Sequence, residues 1–253
     1  AMGAIATESF FSAPRDGLTY ILSVNGLMTE LPHSLKPKYD PLKDFKPLVE
    51  LAGSGLVLVG NASLPPKTLA ELVSYVKANP GKLSFASYTP GTLSHVMGLM
   101  LNQAAGLDML HIGYKGSPPA LQDVMGGQVQ FMAESIPQAA QYHKQGKVRA
   151  LAVTSRERNP ALPEVPTAIE AGLRNFEVVG FYGFLAPAGT PKDVVQRLSE
   201  AFRQVLAQPD VRSRMVTQGA DPAFLGADDF ARYLAAEMPR WAEVVKQSGA
   251  RLD

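Results

Sequence analysis

The chain has 253 residues, 46% of them hydrophobic, and a formal net charge of +1. That is enough apolar material for one large core or two modest ones. Without clustered Lys and Arg a nucleic-acid partner is a poor fit, and with no cysteine there is no disulfide, thiolate metal site or cysteine nucleophile. No apolar run approaches the roughly 20 residues of a membrane span. No signal peptide is visible at Ala1-Met2-Gly3, where Ala1-Met2 reads as a cloning scar.

Apolar strand-like runs alternate with amphipathic helical ones, which predicts an α/β protein. Leu18–Val24 reads as a strand ending at Asn25-Gly26, and Leu56–Val59 as another, closed by Gly60-Asn61. Thr68 with Glu71 three residues on has the spacing of a capping box. The helix it opens buries Leu69, Leu72, Val73 and Val76 and stops at Asn79-Pro80-Gly81. A strand over Leu83–Ala86 then hands over, through Ser87 to His95, to a helix with Val96, Leu99 and Met100 on one face. Met109–Ile112 repeats the arrangement. Ser117 stands as N-cap and Pro118 as first helical residue of a helix through Leu121, Val124 and Met125. Gln128–Met132 and Val148–Val153 are further strands, with a helix between them ending at Gly146. Pro160–Pro166 is an ordered surface loop, since each proline lacks a backbone donor. Phe176–Leu185 is a strand interrupted by Gly180 and Gly183. Thr190 caps a helix with Pro191 at its first position, and the tail is helical, kinked or broken at Pro239.

The two strand-to-helix junctions carry the chemistry. In the first turn of a helix the amide N–H groups have no intrahelical partner, and the helix dipole adds partial positive charge there. Glycine and hydroxyl residues at such a junction make an anion site, and two close together suggest a protein that holds a small anion. The sequence has no Gly-x-Ser-x-Gly elbow, His-Glu-x-x-His or P-loop, so the chain does not read as an enzyme and no cofactor is implied. His33, His95, His111 and His143 lack metal-ligand spacing.

From about Gly3 to Asp253 the chain resembles the substrate-binding proteins of tripartite tricarboxylate transporters, the Bug receptors. The matching landmarks include Ala13-Pro14-Arg15-Asp16-Gly17, Tyr39-Asp40-Pro41-Leu42-Lys43-Asp44-Phe45, Ala78-Asn79-Pro80-Gly81-Lys82-Leu83, Tyr114-Lys115-Gly116-Ser117 and Gly126-Gly127-Gln128-Val129. Leu162 to Thr167 and Leu185 to Pro191 match as well. Each is weak alone; their order along the whole chain is specific. The resemblance implies a bilobal, type II periplasmic-binding-protein-like α/β fold, with residues 1–57 plus 182–253 in one lobe, 58–181 in the other and a ligand cleft between them. It implies a periplasmic receptor that grips a small carboxylate and delivers it to membrane transporter subunits.

The resemblance places the site at Ser87, Gly91, Thr92, His95 and Glu134; Thr89, Ser94 and Tyr114 beside them, with Asn25, Phe181 and Tyr182 from the other lobe, are the further candidates for ligand contact. Plainer readings stand beside it. The run from Ser87 to His95 can be a turn and cap alone. Tyr114 can point into the cleft or pack at a strand end, and Lys115 reads as a solvated charge. His111 reads as a core residue. Glu134 can accept from a ligand or cap a helix, and Asn25-Gly26 can be a turn. Strand alternation lets only one of Phe181 and Tyr182 face a ligand.

The sequence departs from the family at Thr89, where glycine is usual, and at Glu134-Ser135, where Asp-Asn is usual. It also starts after the family's first strand and Pro-Pro-Gly-Gly loop. That shortened front lobe predicts self-association across the gap or weak ligand binding. It also keeps open a second function, a non-transport sensor or protein-interaction module.

Overall fold

The computed structural model describes residues 4–34 and 37–248; the Ala1-Met2-Gly3 start lies outside the described residues. The chain divides into two compact units, residues 1–53 with 180–243 and residues 54–179 with 244–253.

Unit 1 begins with α1 (Ala4–Ser12), β1 (Ile21–Val24) and two single-turn helices, α2 (Asn25–Met28) and α3 (Leu31–Ser34). The strand β2 (Phe45–Asn61) is 17 residues long, far beyond the Leu56–Val59 run expected. Its first part belongs to unit 1 and its second to unit 2.

Unit 2 continues with α4 (Leu69–Ala78), β3 (Ser84–Ser87), α5 (Leu93–Ala105), β4 (Leu110–Gly113), α6 (Ser117–Gly126), β5 (Phe131–Ser135), α7 (Ile136–Lys144) and β6 (Val148–Val153). The capping box forms as expected: Thr68 Oγ1 accepts from Glu71 N at 3.2 Å, and Glu71 Oε2 accepts from Lys67 N at 2.7 Å. The strand order is β4-β3-β5-β2-β6. β3 runs parallel to β4 and β5, and β2 runs antiparallel to β5 and β6. The carboxyl ends of β3, β4 and β5 therefore share one edge. Val57, Val59, Ala86, Met132 and Val153 meet α6 and α7 through Leu121, Val124, Ile136 and Ala139 in the core. The proline-rich loop is an ordered loop whose Leu162 and Val165 plug that core, at 0% and 3% exposure.

The chain returns to unit 1 through β7 (Val179–Pro187), α8 (Lys192–Leu206), α9 (Pro209–Thr217), β8 (Asp221–Gly226) and α10 (Ala227–Ser248), whose residues from Val244 onward belong to unit 2. β1 pairs antiparallel with β7, and β2 with β8. Phe10, Met28, Phe45, Phe181, Leu185, Phe230 and Leu234 form one core cluster there. Three expectations are corrected. Pro239 lies within α10 and does not break it. The N-cap of α8 is Pro191; the Thr190 hydroxyl donates instead to Pro187 O at 2.8 Å. On α5 the buried stripe is Leu93, Val96, Met97 and Leu101, with Leu99 and Met100 half-buried.

Candidate functional site

Each parallel strand of unit 2 delivers the chain to a helix at the same edge: β3 to α5, β4 to α6 and β5 to α7. The N-caps are Thr92, Gly116 and Ser135, and none places a side chain on its helix. Three uncapped N-termini at the carboxyl edge of a sheet form an anion-binding arrangement. The sequence marks the start of α7 through Pro137, but only the first two junctions read from it as anion sites.

The hydroxyls of the first junction are largely committed to building it. Thr92 Oγ1 donates to Thr89 O at 2.6 Å and Thr89 Oγ1 to Tyr88 O at 2.5 Å. Ser94 Oγ donates to Ala133 O at 2.6 Å, tying α5 to β5, and Ser94 is fully buried. Gly91 turns the chain at φ 78°, a left-handed conformation that side chains resist. Pro90 packs on Gly113 so closely that a Cβ there would sit 2.5 Å from the proline ring.

Two histidines line this junction. Ser87 Oγ and His111 Nε2 are 2.7 Å apart, and the His95 and His111 rings stack with centroids 3.8 Å apart. Gly91 N donates to His95 Nδ1 at 3.1 Å. Burial pushes both imidazoles down to about 4, and for His111 the neighbouring His95 adds to the effect. The pair is neutral at pH 7, so the helix ends rather than these side chains supply the positive potential.

At the second junction the structure moves Ser117 from the expected N-cap to the first helical residue, behind Gly116 at φ 122°. Its hydroxyl donates to Glu134 Oε2 and lies 3.1 Å from Gln138 Oε1. Glu134 is 1% exposed, and its Oε1 accepts from Ser135 N at 2.6 Å. Burial raises its pKa, against the pull of these donors. No local pattern announces the Ser117–Glu134 bond, because it joins the start of α6 to β5, 17 residues apart along the chain. Tyr114 donates to Asp123 Oδ2 at 2.6 Å and, with Leu110 and Ile112, lines a groove of about 390 Å³. Lys115 is exposed.

The remaining expected residues belong to unit 1. Asn25 is buried and its Nδ2 donates to Glu30 Oε1. Phe181 is 2% exposed and packs edge-on to Phe230 at 5.2 Å, whereas Tyr182 is half-buried. Among the described residues no group of three or more His, Asp or Glu could hold a metal ion, and no helix is long and apolar enough to cross a membrane.

This architecture is that of periplasmic solute-binding proteins. R. palustris Rpa4515, solved with adipate, superposes with a TM-score of 0.92 at 30% identity, over 99% of this chain and 84% of that one. MatC (Rpa3494) from Rhodopseudomonas palustris, solved with bound malate, gives 0.84 at 34% identity, over 97% of this chain and 85% of that one. BugT of Bordetella pertussis is 32% identical over 254 residues, covering 100% of this chain and 78% of BugT. Residues 1–250 match the Tripartite tricarboxylate transporter family receptor, and the chain belongs to that family.

Proposed function

We propose that the chain is a periplasmic receptor that captures a small organic acid and presents it to the membrane subunits of a tripartite tricarboxylate-type transporter. The observation that carries this reading is the convergence of the uncapped N-termini of α5, α6 and α7 at one edge of unit 2. A carboxylate placed there accepts from first-turn amides and meets three helix dipoles of the same sign. The bend at Gly91 lets the backbone approach the ligand. Adipate and malate, held by the two solved relatives, set the expected ligand class as a flexible diacid. Delivery of such a ligand needs binding and release rather than chemistry, and no catalytic role is assigned to any residue.

A thermal-shift panel of mono-, di- and tricarboxylates followed by calorimetry tests the reading. A true ligand at 100 times its dissociation constant stabilises the protein by about 2.7 kcal/mol. A panel in which no carboxylate moves the melting temperature contradicts it. Among the described residues no strand pairs with the second edge of β1, whose Leu22 and Val24 are exposed, and this favours a second reading, a protein-interaction module descended from the same fold. Capture of transporter subunits by ligand-loaded protein distinguishes the two.

A further inference from the structure

One side chain at the α5 junction has had its donor and acceptor ends sorted by the backbone. Gly91 aims its N–H at His95 Nδ1, and only a lone pair can receive it. In the neutral ring the proton therefore sits on Nε2. Among the described residues Nε2 has no protein partner, and it is not sealed from solvent, although His95 as a whole is only 7% exposed. His111 fixes the plane of the ring. It lies against His95 at an interplanar angle of 20°, is held by Ser87 and meets Phe85 at 5.1 Å on β3. Burial of both rings opposes protonation of either, so the arrangement persists across the neutral range.

We propose that His95 Nε2–H is a fixed, uncharged hydrogen-bond donor to an oxygen of the bound carboxylate, with Gly91 and His111 as the positioning residues that set its tautomer and plane. The inference rests on the carboxylate-receptor reading and sharpens it. The junction then presents donors, first-turn amides together with Nε2–H, and takes the carboxylate end of the ligand. A neutral donor also avoids leaving a buried cation unpaired each time the ligand leaves.

The test combines histidine NMR with calorimetry. In ¹⁵N-labelled protein at pH 7, two-bond ¹H–¹⁵N spectra are expected to show His95 neutral and protonated on Nε2. Saturation with whichever panel carboxylate binds is expected to shift that Nε2–H and leave the His143 signals unchanged. His95→Phe keeps a stacking ring and removes the donor, and is expected to weaken binding about tenfold. His95→Gln restores a donor at similar reach and is expected to recover part of that loss. His111→Phe is expected to weaken binding less and to make the His95 tautomer mixed.

Melting curves establish that each variant folds; should His95→Phe fail to fold, the wild-type spectra and His95→Gln decide. A His95 protonated on Nδ1, or a folded His95→Phe that binds as tightly as wild type, overturns the inference and leaves the receptor reading standing. Wild-type protein that binds no member of the carboxylate panel overturns both.

Discussion

Ser117 donates its hydroxyl hydrogen to Glu134, joining the first residue of α6 to a carboxyl at the end of β5 that is 1% exposed. The contact fixes where the α6 N-terminus stands at the carboxyl edge of the sheet. Removing a donor from a buried carboxyl costs about 1–3 kcal/mol. Ser117→Ala is expected to lose that much in urea melts at pH 7 with an unchanged slope. The penalty is expected to shrink at pH 5, because the lost bond favours the charged form of an acid whose pKa burial has already raised. Glu134→Gln is expected to move the melting temperature and leave the rank order of carboxylate ligands intact. A reordered ligand series would instead give Glu134 direct contact with ligand.

Much of unit 2 is legible along the chain because its signals are local. The Thr68–Glu71 box, the apolar stripe of α4 and the β6 run Val148–Val153 each lie within one turn or strand. β2 is not, because Pro47, Gly53 and Gly55 punctuate it and only the stretch near Leu56 shows an unbroken apolar pattern. β8 carries no strand-like apolar alternation of its own, with Asp, Pro and Gly among its six residues; pairing with β2, with Glu50 opposite Leu225, makes it a strand. The site divides the same way. Ser87 to His95 declares itself as a strand-to-helix junction. The histidine stack depends on the β3–β4 register that sets Phe85 beside His111, a contact no local pattern reports.

Unit 1 holds two acids that titrate near neutrality. Glu30 is 0% exposed, and burial raises its pKa to about 7 against the bond from Thr29; Glu50 also rises to about 7, by burial and then by Glu237. Glu50 Oε2 is buried and has no partner among the described residues. In the unfolded chain such groups titrate near about 4.3. The stability they contribute is fully present below that value and is lost as pH rises through about 7. The melting temperature is therefore expected to fall by several degrees between pH 5.5 and pH 8. Glu50→Gln is expected to flatten that slope and raise the melting temperature at pH 8. A wild-type profile that is level across this window would contradict the assignment.

Gly91 supplies the left-handed turn that brings the first amides of α5 forward. Any L side chain there costs about 1–2 kcal/mol in backbone strain. Gly91→Ala is expected to lose roughly that stability, and Gly91→Val to weaken carboxylate binding further by obstructing the approach of the ligand to the backbone. Calorimetry on both, with melts as the control for folding, separates strain from obstruction. Equal affinity in all three proteins would place the carboxylate away from this turn.

The last expectation concerns β1. It pairs with β7 on one side, and among the described residues no strand pairs with its other edge. Leu22 and Val24 on β1 are 54% and 47% exposed, and Leu18 and Tyr20 just before it are 84% and 44% exposed. No Lys, Arg, Asp or Glu interrupts residues 18–24, so the edge lacks the charges that commonly deter strand pairing. Two copies can pair through such an edge and bury both apolar strips. We propose that the chain self-associates in this way, and sedimentation velocity is expected to show a concentration-dependent rise toward dimer. Leu22→Lys puts a charge in the strip and is expected to restore the monomer without changing the circular-dichroism spectrum. A wild-type chain that sediments as a monomer at every concentration would show that this edge does not pair.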